Sequence, residues 1–139
     1  MLLVKFNLAL SLHAANDKKR SRIMPINDNN SLEALAEALK YFYEKTGTRP
    51  TFEYIIFKDF NDKIEDAREL ADFCKHVPCK VNVIEYNSIE GGEFQKAEDR
   101  NIKEFCNYLE IDEDHFLKHT DGCRFYRLPL KHLARHKYS

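Results

Sequence analysis

Ser11 and His13 stand two residues apart in a stretch running Val4-Lys5-Phe6-Asn7-Leu8-Ala9-Leu10-Ser11-Leu12-His13. Spacing of two on a strand places both side chains on one face. A hydroxyl and an imidazole can then address the same ligand. Two later apolar runs close in polar groups of the same kind, Lys58 with Asp59 and then Asn87. Such groups suit a polar small molecule held by hydrogen bonds. They make a poor hydrolase, because no third residue is placed to orient His13 as a nucleophile–base system requires. A second set lies near the end of the chain. His115 and His119 are four apart, as are His132 and His136, with Cys123 between them. Pairs at that spacing on helices can chelate zinc. The whole set matches no standard zinc spacing, so an exposed basic tail is the favoured reading.

The elements that position these groups can be read from periodicity. In the first stretch Val4, Phe6, Leu8, Leu10 and Leu12 form an apolar face, and Lys5, Asn7, Ala9, Ser11 and His13 a small or polar one. Ser11 and His13 fall at the carboxyl end, where parallel α/β proteins bind ligands. Asn16 to Asn30 reads as a polar connection with four basic residues, Lys18, Lys19, Arg20 and Arg22. It is either a solvated loop or a contact for a phosphate backbone. Asn30 with Glu33 then opens a helix whose stripe is Leu32, Leu35, Leu39 and Phe42, ended by Gly47. Thr51 to Lys58 is a second strand, with Phe52, Tyr54 and Ile56 on one face and Thr51, Glu53, Ile55 and Phe57 on the other. Glu53, on an otherwise apolar face, reads as a structural acid that needs a partner.

Asp62 with Glu65 repeats the capping pattern before a helix striped by Ile64, Ala67, Leu70, Ala71 and Cys74. Cys79 to Asn87 is the third strand, with Val81, Val83, Glu85 and Asn87 sharing a face. Gly91-Gly92 opens a loop, and a last helix from Lys96 to Glu110 carries Ile102, Phe105, Cys106 and Leu109. Strands alternating with helices predict a parallel sheet with right-handed crossovers.

At 139 residues, 43% hydrophobic and 32% charged, the chain is one globular domain's worth. A net charge of −1 does not announce a nucleic-acid partner. The distribution is uneven, however. Residues 115–139 hold Lys118, Arg124, Arg127, Lys131, Arg135 and Lys137 against Asp121 alone, leaving 16 basic and 22 acidic residues elsewhere. The four cysteines, Cys74, Cys79, Cys106 and Cys123, fit no disulfide framework, so reduced thiols and a cytoplasmic setting are expected. Asn7, Ser11 and His13 interrupt the N-terminal apolar run, which favours a strand over a signal peptide. No run is long enough to span a membrane.

Several stretches also carry a resemblance. Leu8-Ala9-Leu10-Ser11-Leu12-His13-Ala14, Asn16-Asp17 and Met24-Pro25-Ile26-Asn27 come first. Phe52-Glu53-Tyr54 leads to Asn61-Asp62, and Pro78-Cys79-Lys80-Val81-Asn82-Val83-Ile84-Glu85-Tyr86-Asn87 follows. In this order they resemble the second half of the radical S-adenosylmethionine (SAM) enzymes of the RlmN/Cfr type. Those enzymes methylate carbon 2 of an adenine in 23S ribosomal RNA, with transfer RNA as a second substrate class. The resemblance implies that residues 1–110 are three βα units. They would form the C-terminal half of a partial (β/α)6 barrel, with residues 111–139 a divergent basic tail. It implies SAM contacts from Ser11, Leu12, His13 and Asn87, that of Leu12 through its backbone. It also implies ribosomal RNA as partner and a [4Fe–4S] cluster in the full-length enzyme.

The departures are equally specific. The cluster needs a CxxxCxxC loop, and this sequence has none. In the family that loop lies in the first half, so a missing N-terminal half is the implied partner and the chain alone is expected to be inactive. The methyl-carrying cysteine of the family sits in Gly-x-Asp-Ile-x-Ala-Ala-Cys. Cys123 stands at about the right distance, but within Thr120-Asp121-Gly122-Cys123-Arg124-Phe125. A non-catalytic remnant that binds RNA or a nucleotide is the alternative. A half barrel with open sheet edges is also expected to self-associate.

Overall fold

Tyr54, Phe52, Phe105 and Leu12 are the largest fully buried side chains, and they show how the layers are built. A computed structural model describes residues 7–111, 116–118 and 124–127. The element order is β1 (Ala9–Ser11), α1 (Asp17–Ile23), a 3-10 turn (Pro25–Asp28), α2 (Leu32–Thr46), β2 (Thr51–Ile56) and α3 (Ile64–Cys74). Then follow β3 (Cys79–Glu85), α4 (Asp99–Ile111), β4 (Phe116–Lys118) and β5 (Arg124–Arg127). β1, β2 and β3 are parallel neighbours in that order. Right-handed crossovers between adjacent parallel strands place their helices on one side. That side carries the core: Phe52, Tyr54 and Ile56 of β2 pack with Leu32, Ala36 and Leu39 of α2, Leu70 and Phe73 of α3, and Phe105 and Leu109 of α4.

The alternation read in β1 and β2 holds. Leu12 is buried, Leu8 and Leu10 pack on the core, and every even residue of β2 is buried. β1 is shorter than the predicted strand, although Thr51 N–H donates to the Leu8 carbonyl and Leu12 N–H to that of Glu53. Val4, Lys5 and Phe6 lie outside the described residues. The sheet also exceeds the parallel expectation: β5 pairs antiparallel with β3, and β4 with β5, giving the order β1-β2-β3-β5-β4. Part of the stretch read as a tail thus contributes two strands.

Three local readings are corrected. The supposed loop Asn16 to Asn30 contains helix α1, whose N-cap Asn16 accepts the Lys19 N–H. Helix α2 is capped by Ser31, whose hydroxyl accepts the Ala34 N–H, and not by Asn30. Its stripe runs Leu32-Ala36-Leu39-Tyr43, with Leu35 at the flank and Phe42 outside the core cluster. Helix α3 starts one residue later than read: Lys63 is its N-cap and the Asp66 carboxylate accepts the Lys63 N–H. Cys74 and Cys79 are buried thiols, as expected. No helix among the described residues is long and apolar enough to cross a membrane.

Candidate functional site

Parallel pairing puts the carboxyl ends of β1, β2 and β3 along one edge of the sheet. At the first of them the chain turns sharply. The Ala14 N–H donates to the Leu12 carbonyl at 2.7 Å across His13, whose φ is +57°. A hydrogen bond over two residues with positive φ between them is a γ-turn of the rare, strained kind. Strain of that sort persists only where the surroundings over-determine it. Here they do so from two sides.

From one side comes Arg20 of α1, which is 4% exposed. Its Nε donates to the Leu12 carbonyl at 3.2 Å, one Nη to the Ser11 carbonyl at 3.3 Å and the other to Asn27 Oδ1 at 2.8 Å. Asn27 Nδ2 in turn donates to Asp17 Oδ1 at 3.0 Å and to Ser21 Oγ at 3.0 Å, and Asp17 Oδ1 accepts the Leu32 N–H. The Asn16-Asp17 and Met24-Pro25-Ile26-Asn27 stretches are therefore the fastening of β1 and α2. From the other side comes Asn61, fully buried in the loop after β2. Its Nδ2 donates to the His13 and Ile55 carbonyls, both at 2.8 Å, and its Oδ1 accepts the Phe57 N–H at 2.7 Å. The Tyr54 hydroxyl donates to the Asn61 carbonyl at 2.9 Å.

The imidazole of His13 is fixed by the same arrangement. Its Nδ1 accepts the Ile55 N–H at 2.9 Å, so a neutral ring carries its proton on Nε2. Burial lowers its pKa; the Glu53 carboxylate pulls the other way, and Arg20 adds to the lowering. Because the folded pKa lies below 6.5, the neutral ring contributes stability that is fully present above pH 6.5 and lost as pH falls through the folded value. Urea melts are expected to show stability rising with pH across that window, and His13→Ala to flatten the rise. An unchanged pH slope in the variant would remove His13 as its source.

Three donors remain at this strand end. The Ser11 hydroxyl, the His13 main-chain N–H and the His13 Nε2–H make no hydrogen bond among the described residues. Ser11 lies opposite Glu53, and Glu53 opposite Asn82, on the sheet face away from the helices. The expected partner of Glu53 is not found among the described residues; the carboxylate acts on His13 through space.

The other predicted residues are placed less closely. The register sets Tyr54 beside Val83, so Val81, Val83 and Glu85 face the helices and not the side that carries Ser11. β3 ends at Glu85, and Asn87 follows it exposed. β2 separates it from β1, a gap of about 10 Å between strands. Lys58 and Asp59 turn to their own loops. Lys58 donates its N–H to the Gln95 carbonyl and pairs with Glu98, while Asp59 pairs with Lys63. Asp59, with φ +57°, is the second strained residue at this edge, and Asp62 Oδ1 accepts its N–H. Cys123 and the histidines 115, 119, 132 and 136 lie outside the described residues.

Sequence reasoning missed an aromatic cluster at the ends of β2 and β3. Phe57 lies 4.5 Å from Phe94 and 4.8 Å from Tyr86 between ring centroids, with Phe60 5.3 Å from Phe94. Arg22 sits over Phe60 and pairs with Glu93 at 2.9 Å. The only sequence signal was the density of aromatics. Of the four basic residues of the supposed loop, Arg20, Lys19 and Arg22 therefore have internal partners, Lys19 on Asp66.

Comparison with known proteins bears on the same region. No family model matches the chain. It is 52% identical over 106 residues to a protein of Cytophaga hutchinsonii described as "Probable dual-specificity RNA methyltransferase RlmN", covering 76% of this chain and 29% of that one. A protein of the same description from Christiangramia forsetii is 57% identical over 93 residues, covering 67% and 26%. The crystal structure of a radical SAM methyltransferase from Sphaerobacter thermophilus superposes with a TM-score of 0.74 at 33% identity, over 79% of this chain and 32% of that one. The chain spans less than a third of the length of these relatives.

Proposed function

Since about three-quarters of the chain belongs to the RlmN family of RNA methyltransferases, we propose that its three βα units are the C-terminal half of a six-stranded radical SAM barrel and that Ser11, Leu12, His13 and Asn87 hold SAM. The observation that carries this reading is the strained turn at His13. It leaves one hydroxyl and two N–H donors unpaired at the carboxyl end of β1. That donor set fits the acceptor-rich parts of SAM, its carboxylate and adenine nitrogens. Leu12 takes part through backbone only, because its side chain is buried under the helices. Bound SAM supplies the transferable methyl group. This chain's own part is to bind and orient it.

The remaining assignments follow the family. The complete enzyme methylates carbon 2 of adenine in 23S ribosomal RNA and in transfer RNA, in the cytoplasm, with RNA as its partner and a [4Fe–4S] cluster beside SAM. Among the described residues no group of His, Cys, Asp or Glu could hold a metal ion, so no step through the cluster is assigned to them. Residues 1–110 supply the half barrel, and residues 111–139 are a basic segment whose β5 and β4 extend the same sheet from β3, with Cys123 as the candidate methyl carrier. The N-terminal strands of such a barrel would join at β1. Its outer edge is unpaired among the described residues. A cavity of about 370 Å³ runs along it, lined by Leu10, Met24, Ile26, Ala34 and Leu35.

A second reading is a binding module without catalysis, in which the same unpaired donors at the end of β1 hold a nucleotide or RNA. Calorimetry with SAM tests the shared premise. The full chain is expected to bind, with Ser11→Ala and Asn87→Ala each weakening binding roughly 5- to 10-fold, as loss of one hydrogen bond would. No heat from a chain shown to be folded would overturn the SAM assignment. Equal affinity in the Asn87 variant would remove that residue from the site.

A further inference from the structure

Two of the three free donors at the end of β1, both on His13, owe their placement to a residue that touches neither of them directly. The paired strand residues end at Ser11 opposite Glu53, with one further bond from the Leu12 N–H to the Glu53 carbonyl. Beyond that point nothing in the sheet itself holds His13 to β2. Two bonds do so instead. One is the Ile55 N–H to His13 Nδ1, and the other runs from Asn61 Nδ2 to the His13 carbonyl. The same Nδ2 donates to the Ile55 carbonyl, so Asn61 grips both residues that meet at the imidazole. Every polar group of its side chain is used, and it is fully buried.

We propose that Asn61 is the positioning residue of this site: by bridging the His13 and Ile55 carbonyls it holds the strained turn and seats Nδ1 on the Ile55 N–H. That leaves Nε2–H and the His13 main-chain N–H as the donors available to a ligand. The ligand they suit presents acceptors, a carboxylate or a heteroaromatic nitrogen. Only this last step rests on the SAM reading; the grip on His13 does not. A γ-turn of this hand persists only where its surroundings hold it, and Asn61 holds the carbonyl of its central residue. An asparagine is suited to the task because one side chain supplies two donors and an acceptor.

The test reads His13 itself. The full chain labelled with ¹⁵N-histidine is followed by long-range NMR correlation across pH, with the His13 signal assigned by comparison with His13→Gln. The unaltered chain is expected to show His13 as the Nε2–H tautomer, titrating below 6.5. In Asn61→Ala, or in the milder Asn61→Ser if alanine prevents folding, the tautomers are expected to mix and the titration to move up toward the ordinary value. SAM affinity is expected to fall about 10-fold. Tyr54→Phe serves as control, since it removes a bond to the Asn61 carbonyl and leaves the amide in place. It should destabilise the same loop without altering the His13 spectrum. An unchanged His13 tautomer and titration in a folded Asn61 variant would overturn the proposal. So would an Nδ1–H tautomer in the unaltered chain, whatever the variants do. If the His13 spectrum responds as expected but SAM does not bind the unaltered chain, the SAM reading fails and the positioning role stands.

Discussion

Arg20→Met is expected to lower the stability of the chain by about 2–4 kcal/mol, a large share of what a domain of this size commands. Methionine keeps the length and most of the apolar volume, so little of the loss comes from a cavity. What it removes is the guanidinium fork that serves the Ser11 carbonyl, the Leu12 carbonyl and Asn27 Oδ1 together. The Leu12 carbonyl keeps the Ala14 N–H. The Ser11 carbonyl and Asn27 Oδ1 lose the donor Arg20 gave them, at about 1–3 kcal/mol for each acceptor left buried and unpaired. Against this stands the relief of a buried cation, whose desolvation methionine does not suffer. Lysine should not rescue, because a single ammonium cannot reach three acceptors in fork geometry. Urea denaturation at fixed pH measures the effect, with an unchanged slope showing that only stability moved. A loss below about 1 kcal/mol would mean that Arg20 is tolerated at the end of β1 and does not fasten it.

Arg20 also shows where reading from sequence stops. A run of Lys18, Lys19, Arg20 and Arg22 reads as solvated because charge is expensive to bury. The buried member is revealed only when the carbonyls of Ser11 and Leu12 are brought to it from another element. The periodic parts carried further. Alternation put Leu12 on the apolar face of β1 and grouped Phe52, Tyr54 and Ile56 on one face of β2, and all four are buried; helical spacing identified Leu70, Cys74, Phe105 and Leu109. Local rules slipped by one residue where two good caps stand side by side. Ser31 won over Asn30. Asp62 was already engaged by the Asp59 N–H, which left Lys63 and Asp66 to start α3.

The face of β3 could not be read at all. Parity within a strand is local, but which parity joins that of its neighbour is set by register, and the pairing of Tyr54 with Val83 is visible only in the fold. For the site, spacing paired Ser11 with His13, and the structure puts Ser11 at the carboxyl end of β1 and His13 in the turn just beyond it. Asn61 was visible only as part of a turn and of the resemblance, because its grip on His13 joins two distant stretches, the end of β1 and the end of β2 with Ile55 and Phe57.

Phe105→Ala is expected to be the most damaging single change, at about 3–5 kcal/mol. Phe105 is fully buried, and its ring centroid lies 5.2 Å from that of Tyr54. Helix α4 reaches the core through few side chains: Phe105 and Leu109 fully, Ile102, Cys106 and Tyr108 in part. Truncation therefore removes a principal anchor of the helix and leaves a void against β2. The void is next to the candidate site, because Tyr54 carries the hydroxyl that serves Asn61. Asn101 of the same helix also approaches Asp62 at 3.4 Å. Loosened α4 should thus be felt in the loop after β2 before it is felt at Arg20, which is fastened from α1. Hydrogen exchange separates the two. Protection is expected to fall first in α4 and residues 57–62, while the amides of α2 and of the β1–β2 pairing keep theirs until global unfolding. If the alanine variant does not fold, Phe105→Leu, which retains part of the contact, should show the same order of loss at smaller amplitude. Equal loss of protection everywhere in that variant would mean that the helix and the strand ends unfold as one unit. The Asn61 network would then draw no separate support from α4.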